Sequence, residues 1–372
     1  MMNRGLGTGR REQTLQHHED HEAAGKLHVQ DCVGAAPANQ FPTAQRTLRS
    51  KNFIDPEVLL TDKPGMQNLS GFLLCVGALC VASDGIAADK KKAPPGPKPT
   101  HAEVKYDKHQ KTALDFWQAE GKGPRPLLVY IHGGGWTGGD KKRSGTSVKP
   151  FLDKGISYAS VNYRLSGQAP LPAPVHDAAR AIQFLRHKAK DWNIDKNRIV
   201  LTGGSAGACT SMWLLCHDDL ADPKSKDPVK RESTRVQGAA VAGGQTSIDP
   251  KVIEGWLGPN VLKHRMINMA VGEKTMEGAL KNYARHAALY KEFSPYNHMS
   301  AGDPPLLMTY GSDMTLPSKN AGHGIHHPVY GVKMKEKADK VGVECHLLIR
   351  GTSESKKYNS SNEFILDILL NR

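Results

Sequence analysis

From Val104 onward the chain moves between two hydrophobic rhythms. LLVYI at 127–131 and ISYASVNY at 156–163 are short apolar-rich runs, as strands buried on both faces require. Val175, Ala178, Ala179, Ile182, Leu185 and Ala189 recur at helical spacing, which predicts an amphipathic helix over 175–190. RIVLTGG at 198–204 predicts a strand ending in glycines, with a helix over 206–216 directly behind it. VQGAAVAGG (236–244), PLLMTYGSD (305–313) and VECHLLI (343–349) predict three further strands. Strands alternating with helices predict an α/β fold with a mostly parallel, doubly wound sheet and flanking helices. Residues 245–303 read as helical or irregular and are placed to form a small cap over the site. No internal repeat is visible.

The pattern before Val104 is different. Residues 1–65 are polar and aperiodic and are expected to be disordered or an overlong N-terminal extension. The apolar run Gly71–Ala82 has the length of a signal-peptide core and is too short to span a bilayer. Small residues follow it, with Ala87 and Ala88 at a plausible cleavage point. Residues 66–88 are therefore expected to be a signal peptide starting at Met66, with export to the periplasm or medium, although no Lys or Arg precedes the apolar run. Neither Cys75 nor Cys80 sits where a lipid anchor needs it, so no stable membrane span or anchor is expected. DKKKAPPGPKPTH begins a Pro- and Lys-rich linker over 89–103, and 104–372 is expected to be the folded domain.

Composition narrows the partners. Hydrophobic residues make up 38% of the 372 and charged residues 23%, which suits a globular body with polar tails. The net charge of +13 comes from the body: the first 88 residues hold eight basic and nine acidic side chains, the remainder 42 and 28. Such an excess attracts anions at long range. No nucleic-acid-binding motif accompanies it, so a lysine-rich solvated surface is the simpler reading and no nucleic-acid partner is expected. The six cysteines show no C-x-x-C spacing, so no zinc site is expected. Cys209, Cys216 and Cys345, which remain after the leader, read as buried free thiols. HDDLADPKSKDP at 217–228 lacks the alternation of a calcium-binding loop and reads as a solvated turn. No cofactor and no metal are expected.

Two motifs carry chemistry. TGGSAGACTS at 202–211 holds Gly-x-Ser-x-Gly centred on Ser205, placed after a strand and before a helix. A serine hydroxyl is a poor nucleophile alone; it needs a base for its proton and a third group to orient that base. HGGGW at 132–136 follows the strand LLVYI. Its consecutive glycines free backbone N–H groups to hold, together with the N–H of Ala206, a developing oxyanion. Each motif alone also fits an ordinary tight turn. The pair, each placed after a strand, points to acyl transfer. His132 reads as structural, and Trp136 packs beside the loop or contacts an acyl or sugar group.

HGGGW, VNYRL and the run PVHDAARAIQFLRHKAKDWNIDKNRIVLTGGSAGA together resemble α/β-hydrolase serine esterases and lipases. The likeness is to the group of hormone-sensitive lipase and of bacterial feruloyl and acetyl-xylan esterases, and extends from about Tyr106 to about Gly342. It implies Ser205 as nucleophile and Gly134, Gly135 and Ala206 as oxyanion donors. It also implies Asp313, at the end of SPYNHMSAGDPPLLMTYGSD, as the orienting acid, one residue earlier than the usual place. The family's histidine follows the last strand, whereas here no histidine follows His346 and the expected position falls near Glu354 and Ser355. Glutamate is a poor base near neutral pH, and His346 lies within a strand. GHGIHHPVYG at 322–331 supplies His326 or His327 as the base from an unusual chain position, since a triad is defined by geometry rather than order. The resemblance implies a carboxylic-ester hydrolase acting on a small-molecule or polysaccharide ester, acyl or feruloyl. The competing readings are a degenerate hydrolase fold that binds a glycan or protein partner, and a peptidase of the same fold.

Overall fold

The computed structural model describes residues 96–144, 148–352 and 357–371. The expected leader and N-terminal extension lie outside the described residues, as do Glu354 and Ser355. Eight strands form one sheet: β1 His101–Lys105, β2 Ala113–Trp117, β3 Arg125–Ile131, β4 Ser157–Val161, β5 Ile194–Gly204, β6 Gly238–Ala242, β7 Leu306–Tyr310 and β8 Cys345–Ile349. Their spatial order is β1-β2-β4-β3-β5-β6-β7-β8. The β1–β2 and β2–β4 pairs are antiparallel and all the others parallel. This is the doubly wound sheet expected from the alternation of apolar runs, with an antiparallel edge added.

The continuity of those runs has its reason in the two faces they bury. Leu127, Val129 and Ile131 of β3 pack into one core with Val175, Ile182 and Leu185 of the helix Ala173–His187 and Met212 of the helix Ala206–Cys216. Leu128 points to the opposite face, into a second core with Val200, Ala240 and Leu307 and with Phe364, Ile365 and Ile368 of the helix Ser361–Leu370. A strand with both faces covered has no polar face to show. Each fully buried leucine contributes about 1.5–3 kcal/mol of transfer free energy.

Two strands went unpredicted. β2 is buried along its whole length. β1 begins at His101, inside the stretch expected to be linker, and the preceding residues are already anchored. The Trp117 indole donates to the Pro97 carbonyl (2.7 Å) and Gln118 N–H to Thr100 Oγ1 (2.9 Å). β1 is an edge strand with an exposed, charged pattern, so its order comes from pairing with β2 rather than from its own hydrophobicity. Lys141, whose side chain is 1% exposed, ties this edge to the loop after β3 through Asp115 (2.8 Å) and Glu103 (2.7 Å).

Residues 245–303 carry short helices, among them Pro250–Leu257, Met266–Ala270 and Tyr283–Glu292. Part of this segment lies against the carboxyl ends of the strands: the His264 ring stands 6.4 Å from that of His326. Among the described residues no helix is long and apolar enough to cross a membrane.

Candidate active site

Ser205 occupies the turn between β5 and the helix Ala206–Cys216, which has the bounds expected from sequence. Its backbone is at φ 54°, ψ −123°, a region that costs a non-glycine residue about 1–3 kcal/mol. The surrounding structure holds it there. Ser205 N–H donates to the Ala242 carbonyl (2.9 Å), and its own carbonyl accepts from Cys209 (2.9 Å). The helix is pressed onto the end of β3: a β-carbon on Gly207 would lie 2.1 Å from the Ile131 oxygen, so only glycine fits. This explains the small residues on either side of the serine.

His326 meets Ser205 from 121 positions away, with Nε2 3.0 Å from the hydroxyl oxygen. It caps the carboxyl end of the short helix Ala321–Ile325. His326 N–H turns to the His323 carbonyl, and the ring Nδ1 donates to the Gly322 carbonyl at 3.1 Å. That bond selects the tautomer with a proton on Nδ1 and a bare Nε2, which can accept a hydrogen bond from the Ser205 hydroxyl. The group that orients the ring is thus a backbone carbonyl of the same short helix. Two contacts hold this helix end in place. Buried Gln245 donates to the carbonyls of Ile325 (2.6 Å) and Gly243 (3.2 Å). A β-carbon on Gly324 would lie 2.9 Å from Val261 of the 3-10 turn Pro259–Lys263, so helix and turn are in close contact.

Two of the expected residues are not brought to Ser205. His327 is fully buried and faces away from its neighbour. Its Nε2 donates to the Thr315 carbonyl (3.1 Å) and its Nδ1 accepts from Val329 N–H (3.1 Å), so both nitrogens are committed to backbone. Burial depresses its pKa and keeps it neutral. Asp313 does not orient the base. Its carboxylate accepts from Lys319 Nζ (2.6 Å) and Thr315 N–H (3.1 Å), which hold its pKa far below the usual range, and its carbonyl accepts from His323 Nε2 (3.0 Å). The loop after β7 folds back on itself, so the carboxylate is used within the loop. His346 pairs with Glu344 (2.9 Å) on β8, away from the serine.

The glycine loop abuts Ser205. A β-carbon on Gly133 would lie 3.3 Å from Ser205 Cβ. Gly134 has φ 109°, and a β-carbon there would lie 2.3 Å from the Gly138 oxygen. The N–H groups of Gly134 and Gly135 take no acceptor among the described residues, whereas the Gly134 carbonyl accepts from Thr137 and Gly138. Free amides beside Ser205 and the amino end of a helix are the components of an oxyanion site. His132 supports the loop as expected: its ring stacks on Tyr163 (4.2 Å between centroids) and its Nδ1 meets the Gly133 carbonyl (2.8 Å). Trp136 is fully buried, with its indole donating to Thr210 (3.0 Å), so the alternative of contact with a substrate acyl or sugar group is corrected.

Ser205 and His326 open onto a cleft of about 810 Å³ that Arg350, Thr352, Asn359 and Ser360 also line. Gln245, Gly322 and Arg350 were not singled out from sequence. A backbone carbonyl leaves no signal there, and a glutamine or arginine acquires its role only from its neighbours in space. The carboxylates of 217–228 are used locally: Asp219 accepts from Thr234 N–H (2.8 Å), and Asp227 pairs with Arg180 (2.7 Å). Cys209, Cys216 and Cys345 are buried and free.

A family model described as BD-FAE matches residues 114–323, a span that holds Ser205, both glycine motifs and Asp313 but ends before His326. Esterase LipQ of Mycobacterium tuberculosis is 28% identical over 210 residues, 55% of this chain and 47% of LipQ. The chain spans about half the length of the curated relatives it matches. Among solved structures, an acetyl ester-xyloside bifunctional hydrolase from Caldicellulosiruptor lactoaceticus is similar with a TM-score of 0.51 and 25% identity, over 65% of this chain and 78% of that one. The esterase Est2 of Thermogutta terrifontis gives 0.50 and 24%, over 73% and 91%. The sheet and its flanking helices are those of an α/β-hydrolase fold.

Proposed function

Because the chain belongs to the BD-FAE family, we propose that it is a carboxylic-ester hydrolase working through an acyl-enzyme on Ser205. The observation that carries this reading is the 3.0 Å approach of His326 Nε2 to the hydroxyl of a serine held on a strained elbow. Ser205 Oγ attacks the ester carbonyl as its proton passes to His326 Nε2. The carbonyl oxygen becomes an oxyanion against the amides of Gly134, Gly135 and Ala206. The imidazolium keeps its Nδ1–H on the Gly322 carbonyl and returns the other proton to the leaving alcohol. Water, deprotonated by the same ring, then releases the acid and restores the serine.

Esters on polysaccharides, acyl or feruloyl, are the substrate class we favour. The name of the Caldicellulosiruptor relative joins an acetyl ester to a xyloside. Export through residues 66–88 belongs to the same proposal. A non-catalytic glycan or partner binder would be expected to leave the position beside Ser205 empty, and His326 fills it. The test is burst hydrolysis of 4-nitrophenyl acetate together with labelling by a fluorophosphonate probe. Both are expected in the wild type and lost in Ser205→Ala. Folded protein that neither labels nor turns over any ester in a short-chain and feruloyl panel would refute the proposal.

A further inference from the structure

We propose that Arg350 reads a carboxylate on the substrate, so that the preferred esters are anionic. This rests on the ester-hydrolase reading above. Arg350 is the first residue past β8. Its N–H donates to the Tyr310 carbonyl of β7 (3.1 Å), which fixes its backbone at the sheet end that carries Ser205. It lines the same cleft as Ser205 and His326.

Two half-buried guanidinium groups of this protein are engaged by carboxylates. Arg164 grips Asp177 through two nitrogens (2.7 and 2.6 Å), and Arg180 joins Asp107 and Asp227. The Arg350 guanidinium has no hydrogen bond and no ion pair among the described residues, and its side of the cleft is exposed. No aspartate or glutamate lines the cleft among the described residues. A planar fork of free donors over an otherwise uncharged lining matches a carboxylate in bidentate geometry. Thr352, Asn359 and Ser360 line the same cleft; each makes a local hydrogen bond, to Ile349 or to Glu363, and they give this wall a polar rather than an apolar surface. The overall charge of +13 draws anions toward the protein. The carboxylate can belong to the alcohol, as in a uronic acid, or to the acyl group, as in a dicarboxylic half-ester.

The experiment compares two matched pairs. O-acetylated methyl galacturonoside against O-acetylated methyl galactoside places the carboxylate on the alcohol. 4-Nitrophenyl hemiglutarate against 4-nitrophenyl butyrate places it on the acyl group. In at least one pair kcat/KM is expected to favour the anionic member, and Arg350→Gln to lower the anionic-over-neutral ratio by about tenfold, as loss of a charged hydrogen-bond pair requires. Raised salt is expected to shrink the preference more in the wild type than in Arg350→Gln. The pair that responds identifies the side that bears the charge. A ratio left unmoved by Arg350→Gln in both pairs overturns the inference. If no neutral or anionic ester is turned over, the hydrolase reading fails instead. Binding of free methyl galacturonoside and of free glutarate to the Ser205→Ala protein, followed by NMR titration, then decides on Arg350. Binding of either anion weakened about tenfold by Arg350→Gln supports the inference, and binding of both unaffected by it overturns it.

Discussion

Replacing Ser205 by glycine and by alanine separates the strain of the elbow from its chemistry. Both variants lose the hydroxyl and its 3.0 Å bond to His326, so both are expected to be inactive and both forfeit about 0.5–1.5 kcal/mol from that bond. They differ in the backbone. Alanine keeps a β-carbon at φ 54°, ψ −123°, whereas glycine adopts that conformation without steric conflict. Relief of strain is worth about 1–3 kcal/mol. Against it stands the greater conformational freedom that glycine loses on folding, about 0.5–1 kcal/mol. Ser205→Gly is therefore expected to be more stable than Ser205→Ala by about 1 kcal/mol. In a domain of this size that is roughly 2–4 °C in Tm. Urea titration and differential scanning calorimetry of the two proteins side by side measure the difference. An alanine variant as stable as the glycine variant, or more so, would refute the argument that the fold stores strain to present the serine.

Other expectations follow from the same geometry. His326→Ala should lower kcat by about 10³-fold or more, while Asp313→Asn should change it less than about threefold, because the Asp313 carboxylate bonds Lys319 and Thr315 rather than the catalytic ring. A loss on Asp313→Asn comparable with that on His326→Ala would return Asp313 to the site. Gly207→Ala, which drives a β-carbon to 2.1 Å from the Ile131 oxygen, should destabilise by about 3 kcal/mol or more in urea, since both neighbours are backbone. Burial lowers the pKa of His132 and His327 below the ordinary 6.5. Between those folded values and 6.5 the unfolded chain binds more protons, so their contribution is full above pH 6.5 and is lost as the pH falls below it. Tm is expected to drop between pH 7 and pH 5, and a flat profile over that window would count against neutral, buried rings.

How much of this was legible in the amino-acid sequence depends on how local each feature is. The six strands from β3 to β8 were readable because a strand covered on both faces must be apolar throughout, and that requirement acts residue by residue. The elbow was readable for the same reason: Gly203, Ser205 and Gly207 are neighbours in the chain, and the steric demand of the turn falls on them directly. The helix Ala206–Cys216 and the glycine loop followed from it. β1 was missed because an exposed edge strand takes its order from its partner. Adjacent histidines could not be told apart in the sequence. Only the end of a five-residue helix, held by Gln245 and by the turn Pro259–Lys263, sends His326 outward to Ser205 and His327 inward to the backbone of Thr315 and Val329. The orienting group, the Gly322 carbonyl, has no side chain to announce it. The sequence by itself determined the six strands β3–β8, the turn that carries Ser205 and the glycine loop, because each is dictated by contiguous residues. The tertiary structure decided which histidine meets Ser205, which carbonyl its ring faces and what lines the cleft, because Ser205 and His326 are 121 positions apart and the turn that aims the ring is held by Gln245, 80 positions from Ile325.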